Sequence, residues 1–251
     1  MINSINYKQF ENQFLETDMG QQVKKDFDIV TCVASNMPSI IFMKNKFSTT
    51  CRELLGRNDL VVKKPMTMVS IVTFYYLQFL QEINPTKIYD IGCGWNLWRR
   101  YIPNIHGIDS NSDFADEIAR YDDTWVDRHY RQLEAAFTIN MDVGLKDGVP
   151  CTFRNMSDQI MNFSKIIKPG GRGYISLAAW GLLRYTDWEW YEENNCNPYD
   201  PGSIIAKTKE IILKLPLTIV ALDCEFDIFR NIPAHDGELR IVFEVPHDLA
   251  V

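Results

Sequence analysis

The chain has 251 residues, 46% of them hydrophobic and 24% charged, the balance of a folded globular chain, which excludes an intrinsically disordered one. Its net charge of −7 and pI near 5.2 give an acidic field that repels phosphate backbones, so nucleic acid is not a favoured partner. The six cysteines (Cys32, Cys51, Cys93, Cys151, Cys196 and Cys224) form no Cys-x-x-Cys pair, which disfavours zinc and fits free thiols in a reducing, cytoplasmic setting.

Met1 to Lys8 is polar and lacks the apolar stretch of a signal peptide. The longest apolar run, Met66 to Leu80, is interrupted by Thr67, Ser70, Thr73 and Gln78. It falls short of the roughly 20 residues that span a bilayer, so no membrane partner is expected. Residues 1–80 read as a helical N-terminal segment that caps or completes the core of a domain over residues 81–251. Phe10 and Phe14 begin the helical spacing. Pro65 suits the first turn of a helix running through Met68, Val72, Tyr75, Tyr76 and Phe79, and Asn84-Pro85 ends it.

From Lys87 the pattern changes. Lys87 to Ile91 is a β-rich run that leads into Gly92-Cys93-Gly94-Trp95-Asn96 and a short helix over Leu97 to Tyr101. Ile105 to Asp109 is the second strand, Glu117 to Ala119 a weak third, Thr124 to Leu133 a helix, and Ala136 to Asn140 the fourth strand. Asp158 to Ile167 is an amphipathic helix stopped by Lys168-Pro169-Gly170-Gly171. Gly173 to Leu177 is the fifth strand. A helix over Ser203 to Lys214 precedes closing strands at Thr218 to Asp223 and Glu238 to Glu244, the last after an Asp236-Gly237 turn. Strands alternating with helices imply a mainly parallel sheet. The closing pair, joined without a clear helix, implies an antiparallel final strand.

A strand that ends in Asp and runs through Gly-x-Gly into a helix lets backbone N–H groups approach a ligand, because no Cβ intervenes. Asp109, at the end of the next strand, can accept both hydroxyls of a ribose or serve as a solvated turn residue. Asp122-Asp123 can reach an adenine amino group or cap a helix. Together the ordered runs Ile88 to Gly94, Gly107-Ile108-Asp109, Phe137 to Asn140 and Ile167 to Gly171 resemble the motif series of class I S-adenosylmethionine-dependent methyltransferases.

That resemblance covers about residues 87–177. It implies a Rossmann-like α/β fold: a mainly parallel seven-stranded sheet with an antiparallel last strand and helices on both faces. It implies S-adenosyl-L-methionine as cofactor, with S-adenosyl-L-homocysteine as product. Asp90, Gly92, Cys93 and Gly94 would face the methionine moiety, Asp109 and Ser110 the ribose, and Asp122 or Asp123 the adenine. Asn140 would line the junction with the substrate. Asn140 and Asp142 are the candidate catalytic groups; as plain structure, both satisfy backbone groups in a turn. Methyl transfer from a sulfonium needs mainly an aligned nucleophile, so a sparse catalytic signature is expected.

The sequence departs from the family in places. Asn96 stands where a third glycine is usual, and Asn is the side chain that best tolerates a left-handed backbone. Trp95 is bulky. The span from Asp109 to Asn140 leaves room only for a trimmed crossover helix. Asn140-Met141-Asp142-Val143 is no Asp/Asn-Pro-Pro-Tyr tetrad, and no Pro-Cys pair is present, which disfavours DNA adenine and cytosine-C5 enzymes. The expected acceptor is a small molecule.

Two other readings remain open: a catalytically silent binding or scaffold protein on the same fold, and an NAD-dependent oxidoreductase, whose fingerprint wants glycine at Leu97. The four histidines lack metal-ligand spacing, so no metal is expected. The aromatic run Trp180 to Tyr199, with Arg184 inside it, either lids a planar substrate or packs inward. No pattern sets an oligomeric state.

Overall fold

The computed structural model describes residues 13–14, 16–22, 71–94, 96–139, 151–178, 182–183, 185–226 and 237–249. The chain divides into two compact units, residues 6–74 and residues 75–251 with 1–5. In the smaller unit Phe14 stacks on Phe74 at 5.1 Å. Thr17 caps a helical turn there, its Oγ1 accepting from the Gly20 amide at 3.0 Å.

From residue 71 onward the elements are α1 (Ile71–Gln81), β1 (Ile88–Ile91), a 3-10 turn (Leu97–Arg100), β2 (Ile105–Asp109), β3 (Glu117–Ile118), α2 (Asp123–Arg128), β4 (Leu133–Thr138), α3 (Met156–Ser164), β5 (Ile167–Ala178), α4 (Trp188–Glu193), α5 (Pro201–Leu213), β6 (Thr218–Phe226) and β7 (Gly237–Glu244). The strands make one sheet in the order β3-β2-β1-β4-β5-β7-β6. Every pairing from β3 to β5 is parallel, and β7 runs antiparallel to both β5 and β6. The α/β fold is therefore a Rossmann-like, mainly parallel seven-stranded sheet with the expected antiparallel last strand.

Alternation along β5 decides which helix covers which face. Tyr174 stacks on Tyr76 of α1 at 4.9 Å. Ile175 faces the other way, into the larger apolar cluster that holds Ile160 and Phe163 of α3 and Ile204 and Ile212 of α5. Helices thus cover both faces. Local chemistry sets several ends: Asp122, Asp187 and Asp200 cap α2, α4 and α5 through bonds from the amides of Trp125, Trp190 and Gly202, and Pro201 opens α5.

Several boundaries differ from those read in the sequence, each for a tertiary reason. α3 stops at Ser164, because the Lys165 and Ile166 amides close tight turns onto Asn162 and Phe163. Ile167 then pairs with Leu133 as the first residue of β5. Lys168-Pro169-Gly170-Gly171 is therefore an irregularity within a twelve-residue strand, not a stop before one. Gly170 takes φ 74° and its amide bonds Val245 at 2.8 Å. α2 ends at Arg128, well before Leu133. Arg131 turns left-handed at φ 54°, and Leu133 enters β4 three residues ahead of the expected start at Ala136. The crossover helix between β3 and β4 is six residues long, short as the sequence required.

β1 is the hinge of the topology. The chain builds outward from it to β2 and β3, then returns to its other side with β4. Open α/β sheets bind ligands at the carboxyl ends of the strands flanking such a reversal. Here that crevice lies above Ile91 and Thr138.

Candidate cofactor site

The loop that leaves β1 alternates into the left-handed region at three positions: Gly92 (φ 78°), Gly94 (φ 52°) and Asn96 (φ 50°). Glycine enters that region without penalty, and asparagine is the side chain that does so most readily. The loop is tied to β2: the Gly92 and Cys93 amides donate to the Ile108 carbonyl at 2.8 and 3.0 Å. A Cβ built on Gly92 or Gly94 meets no described atom within 4 Å. Both glycines therefore border open space that a ligand can approach.

Asp90 precedes this loop. It is 2% exposed, and among the described residues its Oδ2 has no hydrogen-bond partner. Burial, with the neighbouring Asp109 carboxylate, pushes its carboxyl well above the ordinary range. Burial and the same two acids push the Cys93 thiol up as well, so it is a neutral group lining the loop. A buried polar atom without a partner costs free energy unless a ligand completes it.

Asp109 ends β2. Its Oδ2 accepts from the Gly94 amide at 3.0 Å and its Oδ1 from the Asn111 amide at 2.8 Å. The carboxylate thus fixes the glycine loop while each oxygen keeps further acceptor capacity. Ser110 lies beside it, its Oγ accepting from Asn111 Nδ2 at 3.0 Å. Ser112 Oγ bonds the Gly94 carbonyl, which pins the loop from the β2 side.

Asn96 reaches the same turn. Its Nδ2 donates to the Phe114 carbonyl and to Asp116 Oδ2, both at 3.0 Å. Asp116 Oδ2 also accepts from the Gly107 amide at 2.8 Å, and its other oxygen pairs with Arg99. A Cβ on Gly107 would come within 2.6 Å of Asn96 Cγ. Asn96 is thus a wedge between β2 and the turn before β3. Asp116 and Ser112 were not singled out in the sequence, although short polar residues clustered after a strand signal such turns.

Asp122 and Asp123 stand after β3. Asp122 is the cap of α2, its Oδ1 accepting from the Trp125 amide at 2.9 Å, and Asp123 is the first helical residue. Trp125 fills the space beneath, its Nε1 donating to Glu117 Oε1 at 3.2 Å. The structure thus brings Asp90, Gly92, Cys93, Gly94, Asn96, Asp109 and Ser110 to one strand-end cluster. Asp122 and Asp123 follow the outer strand of the same parallel set. Asn140 and Asp142 lie outside the described residues, as do Trp95, Trp180 and Arg184. Of the aromatic run, Trp190 and Tyr191 are buried, with Trp190 stacked on Phe153 at 4.8 Å, while Tyr185, Trp188 and Tyr199 are exposed.

Among the described residues, no three His, Cys, Asp or Glu side chains are placed to hold a metal ion. None of the described helices is long and apolar enough to cross a membrane. His106 packs edge-on against Tyr89 and His129 stacks on Trp125.

No protein-family model and no curated protein matches the chain. Among solved structures it is similar to the CurJ carbon methyltransferase, at 14% identity and a TM-score of 0.43, over 97% of this chain and 72% of that one. It is similar to the fibrillarin pre-rRNA processing protein of Methanococcus jannaschii at 15% identity and a TM-score of 0.40, over 64% of this chain and 66% of that one. It is also similar to a geranyl diphosphate C-methyltransferase from Streptomyces coelicolor A3(2), solved with Mg2+, geranyl diphosphate and S-adenosyl-L-homocysteine. That likeness is 14% identity and a TM-score of 0.36, over 68% of this chain and 78% of that one. With such low identities and scores, the fold assignment rests on strand order and register, and the chemistry on the site itself.

Proposed function

We propose that the chain is an S-adenosyl-L-methionine-dependent methyltransferase acting on a small-molecule acceptor. The observation that carries this reading is the coincidence of two features at the β1 reversal. One is the buried Asp90 carboxyl with an unpartnered oxygen. The other is a loop whose left-handed glycines face open space. Backbone amides there can approach a ligand closely, and paired acids in a low-dielectric site favour a cationic one. S-adenosylmethionine carries a sulfonium and an ammonium group. These residues fit it.

In this reading Asp90 and the Gly92–Gly94 loop, Cys93 included, hold the methionine portion. Asp109 and Ser110 meet the ribose, and Asp122 or Asp123 the adenine. Asn96 keeps the loop in shape. When bound, the cofactor supplies an activated methyl group. The protein's task is to align the acceptor and exclude water, with Asn140 and Asp142 as the candidate groups beside the reacting atoms.

Calorimetric titration with S-adenosyl-L-methionine and S-adenosyl-L-homocysteine tests the cofactor. Micromolar binding by the wild type and at least tenfold weaker binding by Asp109→Ala are expected. The variant's melting curve must be taken alongside, because Asp109 also holds two loop amides. Absence of binding by the wild type would overturn the reading. A second reading, a catalytically silent binding or scaffold protein, is favoured by Asn96 in place of the usual third glycine and by the six-residue crossover helix. Methyl transfer to any acceptor in a small-molecule screen would rule it out.

A further inference from the structure

The segment after β5 sorts its aromatic rings into two sets. Trp190 and Tyr191 of α4 turn inward, buried against Phe153. Trp188 and Tyr199 turn outward, 55% and 70% exposed. Their ring centroids stand 6.4 Å apart with the planes inclined at 57°. A group lodged beside both rings can lie within about 6 Å of each centroid, the range over which a cation is attracted to an aromatic face.

The surroundings select the sign of that group. Residues 180–200 contain Asp187, Glu189, Glu192, Glu193 and Asp200 against a single cation, Arg184. Arg154 neutralises part of this charge, bonding Asp187 with two nitrogens at 3.1 and 2.9 Å and Glu193 at 2.9 Å. Glu189 and Glu192 lie outside that clamp. Glu192 Oε1 accepts from Trp188 Nε1 at 2.9 Å. A carboxylate on the indole N–H pushes electron density into the ring and strengthens its pull on a cation. An uncharged apolar group would gain the rings but also desolvate these carboxylates, and an anion would be repelled.

The corner is held in place before any ligand arrives. Asp187 caps α4 while clamped by Arg154. Asp200 caps α5. Between them Asn197 Oδ1 accepts from the Tyr199 amide at 3.0 Å, and the Asn197 amide donates to Ser203 Oγ at 3.2 Å. Ordering cost on binding is therefore small.

We propose that Trp188 and Tyr199, with Glu192 bonded to the indole, form a binding site for an alkylammonium group. The site rests on its own geometry and stands whether or not the chain uses S-adenosylmethionine. The group can belong to a free amine or to a lysine side chain of a partner protein, and one titration series separates these sources.

The full-length protein is titrated with choline, with its uncharged isostere 3,3-dimethyl-1-butanol, and with a short peptide carrying one trimethyllysine. Shifts are followed by the indole N–H resonances. Choline is expected to bind at least fivefold more tightly than the alcohol. Trp188→Ala and Tyr199→Ala should each weaken binding at least fivefold, and Trp188→Phe less. Glu192→Gln should narrow the preference for the cation. Binding of choline as tight as the peptide marks a free amine. Peptide binding at least tenfold tighter marks a protein-borne one. If neither cation binds the wild type, or the alcohol binds as well as choline, the proposal is overturned. The wild-type comparison of cation with isostere decides even where a variant fails to fold.

Discussion

Asn96 and Gly107 share one small volume. The asparagine side chain lies where a Cβ on Gly107 would have to go, and it fills that place because its Nδ2 bonds Phe114 and Asp116 beyond it. Gly107→Ala should therefore destabilise the protein by about 1–3 kcal/mol, the cost of overpacking a tight contact. Asn96→Gly keeps the left-handed backbone but gives up the side-chain bonds, at a similar cost. In the double variant the alanine methyl has somewhere to go. Urea denaturation should show a coupling of about 1 kcal/mol or more between the two positions; strict additivity would mean that the contact does not govern Gly107. Only half of this pair was legible in the sequence. Asn at a glycine position announces a left-handed turn. The reason for Gly107 lies on a neighbouring segment, which local pattern does not record. Asp109 was legible as a strand-end acid, but not its bonds to the Gly94 and Asn111 amides.

At the scale of elements, β5 is the strand on which others depend, and Arg172 shows how. Its Nε pairs with Glu244 of β7 at 3.0 Å. Its Nη1 pairs with Glu82 at 2.7 Å and donates to the Phe79 carbonyl at 2.8 Å. One guanidinium thus joins two strands to the C-terminal turn of α1, where a cation also complements the helix dipole. Glu82 is largely exposed and adds little. The Glu244 and Phe79 bonds should carry most of a loss of about 1–3 kcal/mol in Arg172→Met. Arg172→Lys should recover less than half, since an ammonium cannot span the same acceptors. Hydrogen exchange at the end of α1 should quicken in both variants; unchanged exchange would refute the clamp. Most element types and their order followed from periodicity, but α4 (Trp188–Glu193) was not read within the aromatic run, and boundaries near β5 differ. Lys168-Pro169-Gly170-Gly171 has the composition of a stop, but the parallel pairing of Ile167 with Leu133 draws it into the strand. Pairing partners, not local propensity, set where such a strand begins.

Across the whole molecule, the mainly parallel sheet and the antiparallel last strand were legible from the alternation of strands with helices and from a closing connection without a clear helix, whereas the order of the strands was not read. The buried state of Asp90 was not legible either, since burial of a strand-end acid depends on everything packed around it. That state leaves a mark on the pH dependence of stability. Burial, with Asp109 nearby, raises the Asp90 carboxyl in the folded protein. Between its unfolded and folded pKa values the folded chain then holds more protons than the unfolded one. Stability contributed by this group is present below the unfolded value and falls as pH rises through the folded one. Asp187 and Glu134 act in the opposite sense, drawn down by bonds from Arg154 and Lys168. Their shares cancel when wild type is compared with Asp90→Asn. The variant should match the wild type in acid and become progressively more stable than it as pH rises, levelling off above the folded value. Denaturation midpoints across pH 4 to 9 check this, and a difference that is flat or that shrinks with pH would contradict it. A cationic ligand reverses the preference by favouring the ionised carboxyl. Binding of S-adenosyl-L-methionine should then release a proton from the wild type and none from Asp90→Asn. Calorimetry in two buffers of different ionisation enthalpy reads that proton directly. Equal proton release by both proteins would place the ligand's charge away from Asp90.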